Sequence, residues 1–207
     1  AAALPETTPK PAAVAATASS FYRFVAAATQ STGFMPPELR ALQRQPCIWD
    51  AATARFLLPN HCFSVSVPYF GSLRAFVQAE GNEAEGLNLL GRRLTAEADD
   101  FVSFLKDLAA HAAGRGLTDD ERDCALFALR QLNALVEVDR KIEDLMILTS
   151  DARLRPASRV LIDDAPWWRD RMRDGPVALL HESVSPEIAR RCQLQGAAQA
   201  LREVLVA

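Results

Sequence analysis

Apolar residues recur at helical spacing through the middle of the chain. Phe101, Phe104, Leu105, Leu108 and Ala112 fall three or four positions apart, and so do Cys124, Ala125, Ala128, Leu129, Leu132, Leu135 and Val136. That period marks helices that bury one face. Thr95 is placed to cap the first, with Glu97, Asp99 and Asp100 near its positive end. Thr118-Asp119-Asp120-Glu121 has the capping-box pattern that starts the second. Gly114 and Gly116 break the run between them. The spacing predicts helices over 95–113 and 119–137, packed as an antiparallel pair because only a few residues join them.

On either side of this pair the period shortens. Cys47-Ile48-Trp49 is a short apolar run, Asp50–Ala54 a turn, and Arg55–Leu58 a second run before Pro59-Asn60. The alternation Cys62-Phe63-Ser64-Val65-Ser66-Val67 predicts a third strand. Short helices are expected at 21–30 and from Pro37 to before Pro46. Another is expected after Ser72, carrying Leu73, Phe76 and Val77 and ending at Gly81. Residues 82–94 carry leucines, but Gly86 and Gly91 weaken a long helix there. Past the helix pair, strands are expected at 144–149, 153–155, 159–162 and 177–181. A helix capped by Ser185 with Pro186 at its first position then runs to Gly196, and a last helix spans 197–206.

Two stretches share a layout. Cys47–Pro59 and Met146–Pro156 each read as an apolar strand, a small polar turn, an Arg-led strand and a proline. Each is followed by a short helix ending at glycine, Gly81 and Gly196 respectively. The expectation is an α+β fold of short β-hairpins packed against helices, with a central antiparallel helix pair and a degenerate internal duplication. The first 20 residues, rich in Ala, Pro and Thr, carry few bulky side chains and are expected to be a linker or disordered tail. Residues 21–207 are expected to form one module with sub-units 21–94 and 95–207.

Composition narrows the function classes. Of 207 residues, 49% are apolar, enough for a sizeable core, and the net charge of −3 gives no global field for nucleic acid or an anionic membrane. No run approaches the roughly 20 apolar residues of a membrane span. Cys47, Cys62, Cys124 and Cys192 have no CxxC spacing, which fits free thiols in a reducing compartment, cytoplasmic or inside an organelle, better than a disulfide framework. A disulfide between Cys47 and Cys62, which flank one hairpin, is the minor alternative. The first residue is not Met, which fits a processed chain, with a remnant of organelle import as one source, or a piece of a longer one.

Catalytic signatures are missing. His61-Cys62 is an adjacent pair whose side chains would leave a strand on opposite faces, so a shared metal is not expected. No Gly-x-Ser-x-Gly elbow and no phosphate-cradling glycine-rich loop occur. The expectation is a non-enzyme with no metal and no cofactor. Asp163-Asp164, before Pro166, read as a turn with one carboxylate capping backbone amides and the other solvated. Trp167 reads as a core anchor. Trp168, followed by Arg169, Arg171 and Arg173, is the candidate contact for a protein partner.

The order of these pieces resembles the repeat region of sacsin and its relatives. Leu154-Arg155-Pro156-Ala157-Ser158 matches that family's leucine-x-proline-alanine-serine element. Asp163-Asp164-Ala165-Pro166-Trp167 matches its asparagine-aspartate-alanine-proline-tryptophan box, with Asp163 in place of asparagine. Pro46, Cys47, Trp49 and Asp50 match a proline-cysteine-valine-tryptophan-aspartate segment. Leu180-His181-Glu182 stands where the family has valine-histidine-proline, and Leu194-Gln195-Gly196 departs from its leucine-glycine helix end by one residue. The resemblance covers 39–206 and is strongest over 145–168. It implies the part of the repeat outside the ATPase, because the magnesium-holding asparagine and the adenine-contacting Asp-x-Gly-x-Gly loop have no counterpart here. The implied function is a non-catalytic protein-interaction or scaffold module of a chaperone-associated protein. The alternative is an accessory structural subunit of a large assembly.

Overall fold

The computed structural model of the chain describes residues 10–65, 69–136, 142, 144–165 and 178–200. It divides into two compact units, Ala1–Pro68 with Arg74–Ala96, and Tyr69–Leu73 with Glu97–Ala207. The cut at 96/97 lies close to the expected 94/95. The five residues Tyr69–Leu73 cross over to the second unit.

The first unit opens with helix α1 (Pro11–Thr32), which has proline in its first turn and ends at Gly33, whose φ of 73° forms a left-handed cap. Residues 11–20 are therefore helical and not the expected tail, while 1–9 lie outside the described residues. Alanine supplies the reason: it has the highest helix propensity, and its small side chain lets another helix approach closely. That helix is α3 (Gly81–Leu90). Where it crosses α1, a methyl group built on Gly86 would sit on the Tyr22 carbonyl, 2.6 Å from its carbon. Val25, Leu87 and Leu90 are fully buried in the same core.

Between α1 and α3 lie helix α2 (Pro37–Ala41) and hairpin β1 (Ile48–Asp50) and β2 (Arg55–Leu57). A 3-10 turn over Pro59–His61 leads into β3 (Cys62–Phe63), which pairs in parallel with β4 (Ala75–Phe76). Tyr22 ties α1 to the outer edge of β1: its hydroxyl donates to the Cys47 carbonyl at 3.1 Å and accepts from the Trp49 amide at 2.6 Å. Two backbone groups that the two-stranded sheet leaves open are thus satisfied by one side chain.

The second unit is built on helices α4 (Ala98–Ala112) and α5 (Asp119–Leu135), which pack together as the helical period predicts. Leu105, Ala125, Ala128 and Leu132 are fully buried. Each buried leucine contributes about 1.5–3 kcal/mol. Hairpin β5 (Met146–Leu148) and β6 (Leu154–Pro156) follows. After it come a 3-10 turn over Ala157–Arg159, strand β7 (Val160–Leu161) and its parallel partner β8 (Ala178–Leu179). Helix α6 (Pro186–Arg191) is capped by Ser185, whose hydroxyl accepts from the Ile188 amide. Residues 197–200 are helical.

The duplication is real in topology: hairpin, 3-10 turn, strand, parallel strand and helix occur in that order in both units. Ile48 faces Leu57 in one hairpin, and Ile147 faces Arg155 in the other. The residues before Arg55 and Arg153, Ala54 and Ala152, have positive φ, 52° and 56°. The Val77 amide donates to the Phe63 carbonyl, and the Leu180 amide donates to Leu161 in the same way. Each helix ends in a left-handed residue, Gly91 or Gln193, after which the chain returns to the third strand. There the Ser64 amide donates to Arg93, and the Ile162 amide to Gln195.

Several expectations shift against this frame. Pro156 is equivalent to Leu58, since both precede a 3-10 turn with ψ near 138°, so Pro59 corresponds to Ala157. Gly81 opens α3 and does not end a helix. No helix follows Ser72, because Ala75–Phe76 pairs with Cys62–Phe63 as a strand. Residues 82–90 belong to α3. Glu97 replaces Thr95 as the N-cap, with Asp100 Oδ2 accepting from the Glu97 amide at 2.9 Å. The third strand of the second repeat starts at Val160, because Arg159 closes the 3-10 turn, and α6 stops at Arg191, short of Gly196.

Candidate functional site

The described motif residues are spread over both units and form strands, turns and joins. In the first unit, Asp50 is 7% exposed and folds the β1–β2 turn, its Oδ1 accepting from the Ala52 amide and its Oδ2 from the Thr53 hydroxyl. Trp49 packs edge-on against Phe56 at 5.1 Å between ring centroids. Cys47 lies buried beside Tyr22, and Pro46 precedes it at the entrance to the hairpin. In the second unit, Thr149 holds the place of Asp50. Its hydroxyl donates to the Asp151 carboxylate and lies 2.8 Å from the Arg153 carbonyl. Leu154, Pro156, Ala157 and Ser158 make β6 and the 3-10 turn, whose Ala157 amide donates to Leu145.

The Asp163-Asp164-Ala165 stretch closes the second repeat. Asp164 Oδ1 accepts from the Ala198 amide at 2.8 Å, which caps the helical residues 197–200. The same carboxylate leaves no room for a side chain on Gly196, where a Cβ would lie 2.9 Å from the Asp164 Cγ. Asp163 is half-buried. Ala165 is 2% exposed and packs with Leu179 and Ala197. The two carboxylates therefore face different surroundings, and one of them has a structural task. Pro166, Trp167, Trp168, Arg169, Arg171 and Arg173 lie outside the described residues.

Groups capable of acid–base or nucleophilic work are dispersed. His111 Nε2 lies 3.9 Å from Glu121 at the surface, and His181 Nδ1 accepts from the Ser183 amide. The four cysteines are free thiols. Burial pushes the Cys47 thiol up to about 11, and burial together with the Asp50 charge pushes Cys62 to about 12. Both stay protonated near neutrality, their Sγ atoms donating to the Leu42 and Leu58 carbonyls. Among the described residues, no group of three or more His, Cys, Asp or Glu side chains could hold a metal ion. None of the described helices is long and apolar enough to cross a membrane.

What the first unit does offer is an apolar groove of about 480 Å³ between the start of α1 and the hairpin. Ala13, Val14, Thr17, Ala18 and Phe21 form one wall, on adjacent turns of the helix, with Cys47 and Phe56 opposite. Phe56 is 45% exposed. Strand β2 pairs only with β1, so its outer edge has no neighbouring strand among the described residues. None of the described wall residues carries charge, since burial holds the Cys47 thiol neutral. The groove escapes a sequence reading because half of its wall lies in the stretch that composition assigns to a tail. The alternation of Ala13-Val14 with Thr17-Ala18 at helical spacing is the signal that was present.

Comparison with protein-family models, with curated proteins and with solved structures finds no match.

Proposed function

We propose that this chain is a non-catalytic protein-binding module of the sacsin-like, chaperone-associated type, and that the groove on its first unit takes a short apolar segment of a partner protein. The groove carries the reading. Its described walls supply apolar area and aromatic edges, the usual composition of an interface anchor, and among the described residues no charged group, the Cys47 thiol being held neutral by burial. A peptide is a better occupant than a hydrocarbon chain, because the open edge of β2 beside Phe56 offers backbone hydrogen bonds that only another backbone can use. The sequence resemblance over Leu154–Ser158 and Asp163–Ala165 supports the chaperone-associated setting. In the structure those residues are joins of a repeat unit, consistent with a scaffold that presents binding surfaces.

Panning a displayed random-peptide library on the full 207-residue chain tests the proposal. Enrichment of peptides with closely spaced apolar residues is expected. Their binding should be lost in Phe56→Asp and kept in Arg190→Gln, a surface change in the other unit. Enrichment indifferent to Phe56, or none above the blank support, would sink the groove as a docking site.

A further inference from the structure

The second unit carries a pocket of opposite character. Arg115, Arg153, Arg155 and Arg159 line a cavity of about 230 Å³ whose floor includes Ala109 and Ala112 from the last turn of α4. Arg153 and Arg155 are two residues apart on one extended segment, Arg159 closes the 3-10 turn that follows, and Arg115 comes from the loop between α4 and α5. Among the described residues these four guanidiniums meet two carboxylates. Glu121 takes both terminal nitrogens of Arg115, each at 2.6 Å. Asp151 is shared, 2.9 Å from Arg155 and 3.7 Å from Arg153. Arg159 has no ion pair or hydrogen bond among the described residues, and the Nε of Arg155 is buried without an acceptor. Among the described residues, four cations against two anions leave an excess of two positive charges in a chain whose net charge is −3.

The bland account is that these arginines serve the carbonyl end of α4, where cations are favoured. That accounts for cations near the helix end, but not for the half-buried Arg155, whose Nε lacks an acceptor among the described residues. We propose that this pocket binds a phosphomonoester group. A carboxylate would cancel one of the two excess charges, whereas a phosphomonoester near pH 7 carries about −1.5 to −2 and cancels both. Planar guanidinium forks match its oxygens in pairs. The cavity is smaller than the roughly 300–1,000 Å³ typical of drug-sized ligands, so it takes the phosphate and the first atoms of its ester, with Ala109, Ala112 and Leu154 against the carbon. The site is independent of the apolar groove, so either can fail without the other.

The test is titration of the full isotope-labelled chain with inorganic phosphate at constant ionic strength, following the arginine Nε–Hε resonances. Saturable shifts at Arg155 and Arg159 are expected, and Arg159→Gln should weaken binding at least tenfold. The thermal midpoint should not move, because Arg159 is exposed and holds no partner among the described residues. Two further arms separate the sources of the group. A phosphoserine peptide that binds more tightly than glycerol phosphate, while its unphosphorylated twin does not bind, identifies a modified protein. Equal binding of the two phosphate compounds identifies a small phosphomonoester. Linear, unsaturating shifts spread over all exposed arginines would overturn the proposal. So would phosphate affinity unchanged in both Arg159→Gln and Arg155→Gln.

Discussion

Gly86 occupies the most constrained position in the first unit. In sequence it is a residue that weakens a helix, and by propensity alone its replacement by alanine should stabilise α3 by about 1 kcal/mol. The structure reverses the sign. The added methyl would meet the Tyr22 carbonyl, which is backbone of α1 and cannot rotate away. The helices must separate, which loosens Val25, Leu87 and Leu90 around them. Overpacking of this kind costs about 1–3 kcal/mol even where side chains can adjust, and here they cannot. Gly86→Ala is expected to lower the unfolding free energy by at least that much and the urea midpoint with it, whereas Asn82→Ala, an exposed change at the start of the same helix, should not. Denaturation curves of the two variants decide it. Asp164 teaches a related lesson. Adjacent aspartates before a proline read as a turn with one carboxylate capping backbone amides, and only the position of Ala198, 34 residues away, shows that Asp164 is the cap and which helical residues it caps. Neither partner could be read from the local sequence, because both contacts join segments far apart along the chain.

Elements differ in how much of themselves they display. Helices α4 and α5 are long enough to show their period, and the capping box at Thr118 is complete in four residues. The strands of the parallel pairs are two residues each, too short for any alternation, and exist because Phe63 and Leu161 accept from Val77 and Leu180. A sequence window around Ala75-Phe76 contains no trace of that partner, so helical spacing prevails there by default. The start of α5 carries a prediction of its own. Glu121 accepts from the Thr118 amide at 2.9 Å and from both ends of Arg115. The paired guanidinium, chiefly, holds its carboxyl down to about 2. A group with a depressed folded pKa adds stability above its unfolded value, about 4.3, and loses it as the pH falls through the folded one. Glu121→Gln keeps an oxygen for the Thr118 amide and removes the charge. The variant should therefore be less stable than the parent above about pH 5, with the gap closing between about pH 4 and pH 2. Urea midpoints taken across that range measure it, and a gap independent of pH would mean that the ion pair contributes nothing.

At the scale of the whole chain, one device is used twice, and its register is what the sequence conceals. Proline is accommodated both at the residue before a 3-10 turn and at the first residue within it. Pro156 and Pro59 therefore invite an alignment that the backbone shifts by one place. The turn residues are the better guide. Ala54 and Ala152 each hold a left-handed conformation immediately before an arginine that leads into the returning strand, at φ of 52° and 56°. That conformation costs an L-residue about 1–2 kcal/mol, and glycine avoids it at a backbone-entropy cost of about 0.5–1 kcal/mol. Ala54→Gly and Ala152→Gly are each expected to stabilise the protein by up to about 1 kcal/mol, whereas Ala51→Gly, in the same turn without positive φ, should stabilise nothing. Amide exchange assigns the gain to its hairpin. The Cys47 amide, which donates to Leu57 across β1–β2, should exchange more slowly only in Ala54→Gly. The Thr149 amide, which donates to Arg153 across β5–β6, should do so only in Ala152→Gly. The hairpins share no residue, so the double variant should gain close to the sum. Stabilisation at one turn and loss at the other would show that similar backbone angles arise there for different reasons, and that the two hairpins are not one device repeated.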